Sequence, residues 1–96
     1  MDNMKLVNIF EECRKLSEVK NMAYSDQPLK LFGIKGIVMR MGDKYFRLMN
    51  IIMNNDIIKC ADNMDIILEK NEMLEDTFKD MINYAAYGLM FLRGDL

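Results

Sequence analysis

Apolar side chains recur every three or four positions along nearly the whole of this 96-residue chain, and a single proline, Pro28, interrupts the rhythm. That period is the signature of helices that bury one face, so the pattern predicts an all-α fold: a small bundle of three main helices plus a short connecting element. There is no internal repeat and no linker-like composition, which predicts one domain over residues 1–96. Leu6, Ile9, Phe10, Cys13, Leu16, Val19 and Lys20 predict an amphipathic helix from Asp2 to about Met22, capped by Asp2 or Asn3. Tyr24-Ser25-Asp26-Gln27-Pro28 breaks the period, and Gly33 and Gly36 flank a short apolar stretch, so this region predicts a loop.

From about Ile34 to Asn54 the helical period returns. Ile37, Met41, Tyr45, Leu48 and Ile52 form one seam, and Met39, Phe46, Met49 and Met53 form a second apolar strip. A last helix is predicted from about Met73 to Leu92, with Leu74, Phe78, Met81, Ile82, Ala85, Leu89 and Leu92 on its buried face. Between these helices, residues 55–71 mix polar positions with Ile57-Ile58 and Ile66-Ile67-Leu68, which predicts a loop with a short helical or extended piece. Three helices of one chain cannot easily cover both strips of the middle helix, so a homo-oligomer is expected, a dimer or higher. Eleven methionines suit an adaptable core or an adaptable interface equally well.

Charge and composition exclude several functions. A net charge of -2 lacks the basic footprint of double-stranded nucleic acid binding. No apolar run approaches the roughly 18 residues of a membrane span, and residues 1–10 lack a signal-peptide layout, so no membrane partner and a cytoplasmic location are expected. The absence of histidine removes imidazole-based catalysis. Neither a Walker A loop nor a dinucleotide-binding glycine fingerprint nor a nucleophile elbow is present.

Two polar stripes remain. Arg40, Asp43, Lys44 and Arg47 stack along one side of the middle helix, and Glu72, Asp76, Asp80, Asn83 and Tyr87 lie away from the apolar face of the last. Their blander explanation is a pair of solvated faces with internal ion pairs. Facing each other, they suit a phosphorylated ligand. Arginine forks grip phosphate bidentately, and Mg²⁺ on Asp76, Asp80 and Asp43 can bridge phosphates and supply a nucleophilic water. Asp43 and Asp80 are then the candidate catalytic carboxylates. Lys20, Arg40, Lys44, Arg47 and Asn83 are the candidate ligand-binding residues, with Tyr24 and Tyr87 placed to stack on a base or hydrogen-bond it.

Three stretches carry a family resemblance: Lys20-Asn21-Met22-Ala23-Tyr24-Ser25-Asp26, Phe32-Gly33-Ile34-Lys35-Gly36 through Arg40, Asp43-Lys44 and Arg47-Leu48, and Glu75-Asp76-Thr77 through Asp80 to Asn83-Tyr84-Ala85. Together they resemble the nucleotide modification associated domain, a small phage and bacterial family, over most of the chain from Lys20 to Leu92. That family is similar to the all-α, MazG-like NTP pyrophosphohydrolases, which hold Mg²⁺ on helix carboxylates and often form oligomers. The resemblance implies phosphate contacts from Arg40, Lys44 and Arg47 and metal contacts from Asp43, Asp76 and Asp80. Where the family carries Asp-Tyr-Gly-Asp, this chain has Ala23-Tyr24-Ser25-Asp26, so one acid and one glycine are missing.

Three functions follow as expectations. The first is a Mg²⁺-dependent nucleotide pyrophosphohydrolase acting on an NTP or dNTP in a phage setting. The second, favoured by Ala23, is a non-catalytic sponge that sequesters nucleotides, including cyclic or other signalling nucleotides of antiviral defence. The third is a helical oligomerisation module whose polar stripes are merely solvated.

Overall fold

In a computed structural model that describes residues 1–53 and 64–96, the protein is built from three helices: α1 (Asn3–Tyr24), α2 (Gln27–Met53) and α3 (Met64–Leu92). No strand occurs among the described residues. α2 packs extensively on α3, and α1 packs on α3 over a smaller area, so α3 is the shared surface. Asp2 caps α1 by accepting hydrogen bonds from the Met4 and Lys5 amides at 3.0 and 3.4 Å, which satisfies donors with no partner inside the helix.

The loop predicted over residues 24–36 is far shorter, because helix resumes at Gln27. Pro28 sits in the first turn, where a missing N–H costs nothing. The Gln27 amide donates to the Ser25 hydroxyl at 3.3 Å, and the Lys30 amide to the Asp26 carbonyl at 3.2 Å. What sequence periodicity registers as an interruption is a kink at Gly33, whose φ of 61° and ψ of -151° are non-helical and belong to a region open essentially to glycine alone. A Cβ at Gly33 would stand 3.2 Å from the Phe91 ring of α3, and one at Gly36 would collide with the Phe32 Cβ. These two glycines thus allow the turn 27–32 to bend away from the axis of 34–53.

α3 starts nine residues earlier than the period implies, at Met64, so residues 64–71, part of the stretch expected to be a loop with a short helical or extended piece, are continuous with the last helix. The remainder of the predicted connection, including Ile57, Ile58 and Cys60, lies outside the described residues.

Which faces turn inward is the larger correction. On α2, Ile37 and Leu48 are buried, with Ile34, Met41, Lys44 and Ile51 half-buried beside them, whereas Tyr45 and Ile52, assigned to the same seam by spacing, are exposed. On α3 the predicted apolar face is largely outward: Phe78, Ala85, Leu89 and Leu92 are exposed, while Thr77, Asp80 and Asn83 are buried. On α1 only Cys13 is fully buried, and Ile9, Phe10 and Val19 are exposed. The buried polar groups of α3 are tolerated because each finds a partner. Thr77 Oγ1 donates to the Met73 carbonyl at 2.7 Å, and Asn83 Nδ2 donates to the Cys13 carbonyl of α1 at 3.0 Å. No buried side-chain polar atom among the described residues lacks a hydrogen-bond partner, as a stable interior requires.

Ser25, the residue that ends α1, has φ 58° and ψ 172°, a glycine-type conformation that costs a side-chain-bearing residue about 1–3 kcal/mol. Ser25→Gly is therefore expected to raise stability in urea unfolding by about 1 kcal/mol, and Gly33→Ala to lower it by about 1–3 kcal/mol.

Candidate functional site

The buried carboxylate of Asp80, in the middle of α3, receives a lysine from each of the other helices. Lys20, near the end of α1, pairs with Oδ1, and Lys44, on the inward side of α2, lies 3.1 Å from Oδ2. The spacing that puts Lys20 on the inner face of α1 with Cys13, Leu16 and Ser17 thus directs its stem toward α3 rather than solvent. Two turns beyond Asp80, Tyr87 closes a further α1–α3 tie through its hydroxyl to the Ser17 Oγ.

Above this node opens a cavity of about 720 Å³. Lys20, Asn21 and Ser25 border it from the end of α1, and Pro28, Leu29 and Phe32 overhang it from the turn before the Gly33 kink. Beyond the kink, Ile37, Met39, Arg40 and Asp43 form the α2 wall, while α3 contributes Asp80, Asn83, Tyr84 and Tyr87. Tyr84 and Tyr87 stand edge to face, with centroids 5.8 Å apart and planes at 87°, an arrangement that holds both rings in place. The result is a cleft with one charged end and mostly apolar and aromatic sides.

The charged end favours anions. Lys20, Lys44 and Arg40 bring three positive charges against two negative ones on Asp80 and Asp43, an excess of one in a chain whose net charge is -2. Arg40 and Asp43 are both exposed and 3.9 Å apart, a loose pair that leaves the guanidinium free for a ligand. Burial acts to raise the Asp80 carboxyl, but the Lys20 and Lys44 ammonium groups outweigh it and hold the group below the usual carboxylate range.

The structure brings together most of the residues singled out by sequence. Lys20, Arg40, Asp43, Asp80, Asn83 and Tyr87 line the cavity, and Lys44 reaches its floor through Asp80. Arg47 is exposed and does not line it, and Asp76, one turn before Asp80, is exposed outside it. The side chain of Tyr24 lies outside what the structure describes. Tyr84, Phe32, Leu29 and Met39 enter the site without having been candidates. Tyr84 continues the series Asp80–Asn83–Tyr87 at helical spacing, and that spacing could have found it; Phe32 and Leu29 were concealed by the expectation of a loop.

Magnesium, which the resemblance implies, usually keeps several waters and takes one or two carboxylates together with the phosphates of its ligand. Among the described residues no three of His, Cys, Asp and Glu gather to hold a metal ion, and the buried carboxylate is already neutralised by two ammonium groups. Of the three carboxylates that sequence spacing suggested as metal ligands, Asp43 and Asp80 line the cavity and Asp76 lies outside it. Asp80, Lys20 and Lys44 serve one another.

The chain matches no protein-family model, no curated protein and no solved structure.

Because the Asp80 carboxyl is held low in the folded state, unfolding takes up a proton as pH drops below about 4, and stability rises with pH there. The node's contribution is present above the unfolded carboxylate's ordinary value and is lost as pH falls through the lower folded value. Acid unfolding of Asp80→Asn followed by circular dichroism is expected to show a shallower loss of stability in this window than the parent.

Proposed function

We propose that the cavity binds a nucleotide and holds it intact, so that the protein acts by sequestration rather than by hydrolysis. The observation that carries this reading is the pair of lysines, delivered by two different helices, at one end of a cleft whose opposite walls are aromatic and apolar. Lys20 has about two-fifths of its side chain exposed at the cavity rim. An ammonium group has three donors, so it can keep Asp80 on one and offer the others to phosphate. Arg40 adds a planar fork suited to the same group. Across the cleft, Tyr84 and Phe32 offer ring faces to a base. A volume of about 720 Å³ falls within the roughly 300–1,000 Å³ of small-molecule sites.

Sequestration is favoured over pyrophosphohydrolysis by the same residues. A carboxylate tied to two lysines is a poor general base, because its lowered affinity for protons weakens proton abstraction. Ala23, standing where the resembled family has an acid, removes another candidate. On this reading the chain is a member of the nucleotide modification associated family with a MazG-like helical bundle, in which binding persists where hydrolysis has lost its donors.

The test is incubation of the purified chain with a pool of NTPs, dNTPs and cyclic dinucleotides, with and without Mg²⁺, followed by chromatography of the free and heat-released fractions. The expected result is intact nucleotide released only on denaturation. In titration calorimetry, Lys20→Ala and Lys44→Ala should each weaken binding about tenfold, whereas Arg47→Ala should leave it unchanged. Release of monophosphate and pyrophosphate overturns sequestration in favour of the hydrolase; no retained nucleotide and no melting shift leaves the oligomerisation module.

A further inference from the structure

Asn83 is only 7% exposed, yet it lines the cleft. Its side-chain amide has two unlike ends, an NH₂ that donates and a carbonyl oxygen that accepts. The NH₂ end is committed, because Nδ2 donates to the Cys13 backbone carbonyl of α1 at 3.0 Å. A backbone carbonyl only accepts, so this bond fixes which way round the amide sits. Turning the amide over would set two acceptors against each other inside the protein.

Oδ1 is the end that remains. No described residue donates to it, yet no sealed side-chain polar atom among the described residues is without a partner. Oδ1 is therefore not sealed, and the space it opens on is the cleft that Asn83 lines. Asn83 stands three residues past Asp80, about 4.5 Å farther along α3 from the charged end, and directly before Tyr84, whose ring borders the same cleft. A nucleotide with its phosphate at Lys20 and Arg40 brings its base to this part of the wall. The other polar groups there make no such demand. The Asp80 oxygens face ammonium groups and the Tyr87 hydroxyl shares its bond with Ser17, while the Tyr84 hydroxyl either donates or accepts.

We propose that Asn83 reads the base, its oriented Oδ1 selecting a nucleotide whose base carries an exocyclic amino group over one that carries none. Adenine, cytosine and guanine belong to the first class; uracil, thymine and hypoxanthine belong to the second. An amino group donates to Oδ1. A keto oxygen in its place sets acceptor against acceptor, and a bare C–H covers Oδ1 without giving it a partner, which strands a buried polar atom. The assignment rests on the nucleotide reading of the cleft and adds to it the class of base.

Titration calorimetry of the purified chain with matched ligands tests it. CTP is compared with UTP, ATP and GTP with ITP, and the cyclic dinucleotides of adenine and guanine with that of hypoxanthine. Among the ligands that bind, the amino-bearing member is expected to bind about tenfold more tightly than its counterpart. In Asn83→Ala, shown to be folded by circular dichroism, that ratio should fall to about one while binding persists, since the phosphate end is untouched. A purely structural role for the bond to Cys13 weakens both members alike and leaves the ratio unchanged, which overturns the proposal. Should the variant unfold, the unaltered protein decides: equal affinities within each pair, or tighter binding of the counterpart, overturn base selection and leave the nucleotide reading standing. Binding of no ligand in the set overturns the nucleotide reading and base selection with it.

Discussion

One buried carboxylate organises this molecule. Asp80 stands at the middle of the shared helix and draws a lysine from each neighbour, Lys20 from α1 and Lys44 from α2. A buried carboxylate is tolerated only when paired, and removing its partners strands the charge. The apolar core around it is slight: among the described residues only Cys13, Ile37 and Leu48 are buried hydrophobic side chains. So thin a core does little to specify which face of each helix points inward, and the polar node with its companions Asn83 and Tyr87 supplies that information. The same node holds the Lys20 ammonium at the rim of the cleft, so the interaction that orients the helices also makes one end of the cleft positively charged.

The helical character of the chain and the approximate course of α1 and α2 were legible from periodicity, because a 3.6-residue rhythm records helix whatever the helix packs against. Facing was not legible. Phe78, Leu89 and Leu92 form a convincing buried face by hydropathy, yet they lie outward, since Asp80 and Asn83 have partners on α1 and α2 that no local window reveals. Gly33 and Gly36 read as loop signals but mark a kink within a helix, where the neighbouring Phe91 and Phe32 leave no room for a Cβ. At the site, Arg40 and Lys44 were identifiable from their stripe on α2, whereas Lys20 belongs to the periodic series of α1 with Cys13 and Leu16. The pairing of Lys20 and Lys44 with Asp80 was not legible, because a carboxylate ladder does not show that one of its members meets lysines from two other helices.

Much of the apolar surface of this chain is left uncovered by its own helices. The inward faces carry the polar ties and a small hydrophobic nucleus, while methionine, phenylalanine and leucine remain exposed on α1, α2 and α3. The Gly33 kink adds a second consequence by tilting Leu29 and Phe32 over the cleft, which gives the charged node an apolar roof. No described helix is long and apolar enough to cross a membrane.

The most direct test of the central claim is a nucleotide titration of the protein labelled at lysine side chains, followed by NMR of the ε-methylene and ammonium signals. If the Asp80-bound lysines are the phosphate ligands, the Lys20 and Lys44 signals move together and saturably with a nucleotide, and remain still with the nucleoside that lacks phosphate. Signals that stay fixed throughout the nucleotide titration, or that move equally with the bare nucleoside, contradict the account.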